Sequence, residues 1–404
     1  MAVSDPSSFD RIDSLAVMHY FRTPLLLVVL LGFFLGDLPA QKKKKPGSDD
    51  EGYIPVLAPE NKKKKKEEEL NQTLPPPKEL PSAVIAETDR LTFEVTPLSP
   101  KGLLSLQTRE ALKGLIRSSR GTIVKVRAFV AGSGDLRRIG ELVAEAFTEK
   151  HLPLPALSVA QVGGLPMEGA QVVIETVEID KRVVNPNGVA FLSGQAAPSV
   201  AQSIEKLKSA LRGAGMEPDD MLRVTCFVSS LDEQRDTHQV MAASFPGAAL
   251  NYVQMQREPV TPVSECEGVA RMRTPATQAV RFLNPPNLDQ SPNYSQVALV
   301  TSPKLVITGT QLAFGSQESD VKLAFERLQR ALGASNARFD RVVMSHVYVT
   351  SNAMTARVRT VRSGYYNAAN PPASTLLPFE GLPSVDASCG VDVVAVSDSA
   401  SAQK

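Results

Sequence analysis

From residue 84 onward, apolar positions recur with two alternating periods. Val200, Ile204, Leu207 and Leu211 step by four, three and four residues, which sets them on one face of a helix. Val321, Phe325, Leu328 and Leu332 repeat those steps 121 residues later. After each run come a glycine-containing turn and a segment rich in β-branched and aromatic residues, Arg223–Val228 and Met344–Val349, which predicts a strand. Phe227 matches Tyr348 at the same offset of 121, and a third version of the strand lies upstream at Val124–Val130.

Each strand leads into a second helical pattern, clearest at Leu136, Ile139, Leu142, Val143 and Phe147, and then into two closing strands. The closing strands read Ala156–Val159 with Val172–Val177, Ala249–Tyr252 with Glu265–Ala270, and Ala373–Leu376 with Val391–Ala395. A unit of strands, helix, strand, helix and two strands, used three times, predicts an α+β layer architecture. The expected modules are 84–180, 181–276 and 277–397, followed by a short tail at 398–404.

The chain before residue 84 carries a different pattern. Arg22 precedes an apolar run from Pro24 to Gly36 that is short for a bilayer span, and Leu38-Pro39-Ala40 follows it, so residues 1–40 read as a signal peptide cleaved after Ala40. Translation could start at Met1 or at Met18. Export to the periplasm or the extracellular space follows from this reading, without stable membrane insertion once the signal is removed. Residues 41–83 hold lysine runs at 42–45 and 62–66, the acidic run 67–69 and prolines 75–77, the composition of an extended charged linker.

Composition narrows the chemistry. With 44 Lys+Arg against 43 Asp+Glu the formal net charge is +1, which argues against a nucleic-acid partner. The four histidines (19, 151, 238, 346) and three cysteines (226, 266, 389) contain no metal-binding spacing, so no metal and no cofactor are expected. His346 alternates with apolar neighbours on its strand and reads as structural, at solvent or at a seam between modules. Cys226 and Cys266 fall on two strands of one module, where export would allow a disulfide, although sequence leaves their separation open.

Several motifs resemble the RidA/YjgF (Rid) family of imine and enamine deaminases. Ser291-Pro-Asn-Tyr-Ser-Gln-Val297 is similar to that family's G-P-Y-S-Q-A, and Leu305–Gln311 to its strand ending in S-G-Q. Phe191-Leu-Ser-Gly-Gln195 keeps that strand end in the second copy, whereas the first keeps only Leu104-Ser-Leu-Gln107, followed by a shortened helix. The resemblance implies chorismate-mutase-like domains and small-molecule clefts between subunits of a trimer. Three copies in one chain then imply an intramolecular pseudo-trimer that is a monomer in solution.

In the resembled family an arginine grips the substrate carboxylate and a glutamate positions water, because a guanidinium fork suits a carboxylate and a carboxylate can take a proton from water. By the resemblance, the arginine positions fall on Leu157, Leu250 and Ser374, none of them cationic. The glutamate position falls on Val172 or Val173, on Glu265, and on Cys389 or Gly390. Glu265 is therefore the candidate catalytic residue, with Leu250 expected to be the lesion in its cleft. Ser193, Gln195, Tyr294 and Gln311 are the candidate ligand-binding residues. Arg257 lies at an odd offset from Leu250 and reads as an edge residue, and Cys389, with no histidine near it in sequence, as inert packing. The reading preferred on this basis is an exported Rid-like protein with eroded deaminase sites that binds a small ligand or a partner. The alternative is an imine or enamine deaminase whose substrate needs no arginine clamp.

Overall fold

A computed structural model describes residues 78–232, 235–257 and 262–398. The expected signal peptide, nearly all of the expected linker and all but the first residue of the tail lie outside the described residues.

The first module begins with β1 (Ala83–Glu87) and β2 (Leu91–Val95) and continues through α1 (Leu104–Ser118), β3 (Gly121–Ala131), α2 (Arg137–Glu149), β4 (Ala156–Val162) and β5 (Val172–Asp180). The second comprises β6 (Val189–Ala197), α3 (Val200–Gly213), β7 (Met221–Val228), α4 (Thr237–Ser244), β8 (Ala249–Gln254) and β9 (Ser264–Arg271). The third follows with β10 (Val280–Leu283), β11 (Val297–Val300), β12 (Lys304–Thr308), β13 (Gln311–Phe314), α5 (Glu318–Ala334), β14 (Val342–Val349), α6 (Asn352–Arg362), β15 (Ala373–Pro378) and β16 (Ala387–Val396).

The fold is α+β, with three mixed sheets in one compact unit. In each module the two closing strands do not pair with each other. They flank the strand between the helices, one parallel and one antiparallel, as β4 and β5 do on β3. The helical stripes bury as their spacing requires: Val200, Ile204, Leu207 and Leu211 are all at most 2% exposed. Each such side chain contributes roughly 1.5–3 kcal/mol of hydrophobic stabilisation.

One expectation fails in the first module. Leu104–Gln107 is the first turn of α1, not a strand end, and α1 is 15 residues long against 14 for α3, so this helix is not shortened. Leu104, Thr108, Leu112 and Leu115 step by four, four and three and are buried, so the helical period governs the segment. Gln107 then donates to the carbonyls of Gly102 and Gly169, tying the helix start to a loop.

The sheets exchange strands across the expected module boundaries. β1 pairs antiparallel with β12 of the third module, and β11 pairs with β6 of the second, with β10 outside it. The boundary expected at 276/277 thus precedes two strands that complete the second sheet. Packing between modules is cyclic: β15 lies on β6, β8 beside β2, and β4 beside β12. Two of the buried clusters draw on all three modules, and in one of them Phe129 and Tyr348 both pack on Phe379, with Phe227 against the same ring.

Cys226 and Cys266 stand directly opposite in the β7–β9 register and form a disulfide, with Cα atoms 4.1 Å apart, facing the core beneath the helices. Cys389 is a buried free thiol pushed up to about 12 by burial, which removes it as a nucleophile. No helix of the described residues is long and apolar enough to cross a membrane.

Candidate functional site

Register settles which residues are equivalent to Glu265. Glu265 stands opposite Phe227, and the matching partners of Phe129 and Tyr348 are Val173 and Gly390. Directly opposed residues share a sheet face, so all three point toward the seams between modules. Only Glu265 supplies a carboxylate at this position.

That seam lies between β6 of the second module and β15 of the third. Gly194 on β6 leaves room for the Glu265 side chain, which a Cβ there would have to displace. Beside it, Ser193 stitches the modules together. Its hydroxyl donates to the carbonyl of Ser295 (2.6 Å) and accepts from the backbone N–H of Ser374 (2.8 Å), and its own N–H donates to the carbonyl of Gln296 (3.0 Å). Gln195 is buried and donates to Gln296 Oε1 (2.6 Å) and the Ser193 carbonyl (3.1 Å). Both residues are committed to internal bonds that hold the 293–296 loop in place. Tyr294 stands half-buried on that loop, close enough to Glu265 for the two to interact electrostatically.

The cation that the strands lack arrives from a helix. Arg362, at the end of α6, donates through Nη1 to Ser374 Oγ (3.2 Å) and through Nη2 to the carbonyl of Asn293 (3.1 Å), and is 4% exposed. Arg359, one turn earlier on the same face, is exposed and interacts electrostatically with Glu265, Tyr294 and Arg362. Ser374 is not cationic, as the sequence shows, yet a guanidinium reaches it from the neighbouring helix, so the loss of charge expected at that arginine position does not hold. Carrying the position along β15 finds a serine, but the charge comes from Arg357-Val-Arg-Thr-Val-Arg362, whose i, i+3 spacing was the available signal.

Burial pushes Glu265 up to about 8, assisted by the negative charge of Glu267 on the same sheet face and opposed by Arg359. Burial also raises Tyr294, with Glu265 and Asp289 adding to the shift. At this seam an acid able to hold its proton at neutral pH lies within electrostatic reach of a phenol and of the exposed Arg359 guanidinium.

The other candidates lie elsewhere. Leu157 belongs to a second seam, where its carbonyl accepts from the Thr310 N–H (3.0 Å). Gln311 opens β13 close to that same contact, away from Glu265. Leu250 is half-buried against the second module's own core, on the strand beside β2. It is consequently not the lesion in the Glu265 cleft, since the arginine position facing Glu265 is Ser374 of the next module. Arg257 is exposed beyond β8, with Nη2 3.4 Å from Ser230 Oγ. Among the described residues no cluster of His, Cys, Asp and Glu is arranged to hold a metal.

Residues 287–397 match the family described as Endoribonuclease L-PSP. Three solved structures are similar to part of the chain. A YjgF-family protein from Neisseria meningitidis is 15% identical, covering 30% of this chain and 97% of its own, with a TM-score of 0.23. A Rid-family protein of unknown function from Yersinia pestis is 17% identical over 30% of this chain and 99% of its own, with a TM-score of 0.26. RidA from an Antarctic Psychrobacter is 16% identical over 23% of this chain and 80% of its own, with a TM-score of 0.21. No curated protein matches the sequence. The C-terminal region 287–397 is a Rid/YjgF-family domain.

Proposed function

We propose that the cleft between the second and third modules binds a small imine or enamine bearing a carboxylate and hydrolyses it to the corresponding keto acid and ammonia. The single observation that carries this reading is the convergence of Glu265, Tyr294 and the α6 arginines on one seam. Arg359 supplies the counter-charge for the substrate carboxylate, while Arg362 fixes Ser374 and the 293–296 loop around it. The iminium N–H faces Glu265 and draws it toward its ionised form. Glu265 then takes a proton from water as the water oxygen bonds to the imine carbon and the C=N electron pair moves to nitrogen. Return of that proton to nitrogen makes ammonia the leaving group, and the Glu265 carboxylate thus freed takes the carbinol O–H proton as the O–H electrons close the carbonyl and the C–N bond breaks. An enamine enters the same course after protonation at carbon.

The seams at Val173 and Gly390 lack the acid and serve as module contacts. RNA cleavage, which the matched family's description names, is a poorer fit to a chain of net charge +1. We also take the chain to be a monomeric pseudo-trimer, a reading supported by the cyclic packing of its sheets, and to be exported, a reading to which the disulfide lends weak support.

A second reading, binding without turnover, is favoured by the high pKa of Glu265, which leaves it a neutral hydrogen-bond donor at pH 7 in the empty cleft. Generating 2-iminopropanoate with an amino-acid oxidase and following its loss separates the two. Acceleration that disappears in Glu265→Gln supports hydrolysis. A flat trace, with saturable binding of pyruvate to the same cleft, supports binding alone.

A further inference from the structure

At the common centre of the three sheets, polar and ionisable side chains sit at matched registers. Arg127, Thr225 and His346 stand opposite Glu175, Glu267 and Asp392, and all six are buried. Each acid is bonded across a module boundary. Glu175 accepts from Thr225 Oγ1 (2.7 Å) and Asn251 Nδ2 (2.6 Å) of the second module, Glu267 from Arg127 Nη1 (2.9 Å) of the first, and Asp392 from Ser158 Oγ (2.5 Å) of the first. Arg223 adds a bond to Glu267 (3.1 Å), and Lys125 lies 3.6 Å from Asp392. His346 holds Nδ1 2.9 Å from Asp392 Oδ1 and Nε2 3.3 Å from Glu267 Oε1. Both nitrogens face carboxylates, which favours the doubly protonated ring.

Lys125, Arg127, Arg223 and His346 then place four positive charges against the three acids. A cavity of about 30 Å³ opens among them, lined by Lys125, Arg127, Glu175, Arg223, His346 and Asp392 under an apolar collar that includes Phe93 and Phe191. Arg223 Nε on its wall makes no hydrogen bond, and His346 Nε2 faces only Glu267 Oε1 in the 3.3 Å ion pair. Both oxygens of Glu175 and of Asp392 are already bonded, while Glu267 Oε2, whose residue does not line the cavity, has no donor. About 10–15 Å³ accommodates one water, so the space suits an ion of atomic size.

We propose that this central cavity binds one small monovalent anion of the halide class between Arg223 and His346, bringing the cluster to neutrality and tying the three modules together at their shared centre. The site is separate from the Glu265 cleft and does not depend on its function. Burial holds Lys125 at about 8, so all four cations are charged at pH 6, where the test belongs.

The full chain is melted at pH 6 in sodium chloride and in sodium gluconate of equal ionic strength, and crystals are soaked in bromide. The expected results are a higher melting temperature in chloride, an anomalous bromide peak against Arg223 Nε, and loss of the chloride-dependent difference in His346→Gln. Water alone in the cavity, with equal melting in the two salts, would overturn the proposal. So would a His346→Gln protein that folds and keeps the difference. Should that variant fail to fold, the bromide map of the unaltered protein decides.

Discussion

Phe227 and Glu265 face each other across the β7–β9 ladder, and the same register pairs Phe129 with Val173 in the first module and Tyr348 with Gly390 in the third. With one acid at three equivalent positions, the proposed hydrolysis is confined to one seam. Glu265→Gln is expected to lower imine hydrolysis by about 10²-fold or more, the range for a lost general base, with its melting temperature no lower than that of the unaltered protein. Val173→Ala removes a buried side chain and is expected to cost roughly 1–2 kcal/mol of stability, with turnover per folded molecule unchanged. Steady-state rates and urea titrations on the two variants check both halves.

The pH dependence follows from Glu265 lying near 8 in the empty cleft. The ionised form needed to accept a proton from water grows as pH rises, so kcat/KM is expected to climb with an apparent pKa near that value. Arg359 holds the carboxyl below where burial alone would set it. Arg359→Gln is therefore expected to move the rising limb to higher pH and to raise KM for carboxylated imines several-fold, with a smaller KM effect on neutral ones. Arg359→Lys should restore the position of the limb more fully than the KM, since an ammonium keeps the charge and loses the planar fork. A limb that stays put in Arg359→Gln would refute the electrostatic link.

Much of this fold was legible in the hydrophobic periods because the long helical stripes bury as their spacing demands, as at Val200–Leu211 and Val321–Leu332. What the periods could not carry was partnership. β1 has no period-based reason to pair with β12 rather than with a strand of its own module, and Leu250 and Glu265 are neighbours in one module yet face different seams. The arginines were missed because position was followed along a strand while the charge came from α6. A further signal went unread: Lys125 and Arg127 alternate with valines and Ala128, and Glu265, Glu267 and Asp392 lie within strands that are otherwise largely buried. Charges at period two in such strands mark an inward face that meets other charges.

The central cluster gives the protein two opposed pH limits. Asp392 is held far below its usual range despite burial, by Lys125, His346 and Ser158, so its stabilisation is complete above about pH 4 and is lost as pH falls toward its folded-state pKa. His346 is raised by Glu267 and Asp392 against the effect of burial, so its contribution is complete below about pH 6 and is lost as pH rises through its folded-state pKa. Asp392→Asn leaves Lys125 and His346 buried without that acid, and a cost of about 3–5 kcal/mol is expected near neutrality. The difference between the two proteins should shrink as pH falls below about 4, where Asp392 takes up a proton in the unfolded chain while the folded one stays ionised. Urea titrations at pH 3.5, 6 and 8 measure both trends.

Ring closure depends on the first described strand. Ala83–Glu87 pairs with Lys304–Thr308 through five residue pairs, so chain segments some 220 residues apart share one sheet. Ala86 is fully buried in a cluster that also holds Val124, Val189 and Val300, residues of the other two sheets. Ala86→Asp would put an unpaired carboxylate there, and the cost of a buried, unpartnered charge is large enough to release the strand rather than be absorbed locally. With β1 detached, β12 becomes a sheet edge and the first and third modules lose their ladder. The expected outcome is rapid amide exchange confined first to β1 and β12, with β7 and β9 still protected, and a melting temperature lowered by several degrees. Ile85→Asp, at a position 44% exposed on the same strand, should leave both measurements close to those of the unaltered protein. Equal loss in the two variants would mean that closure rests on the strand's exposed face, and equal retention that the β1–β12 ladder contributes little to holding the ring.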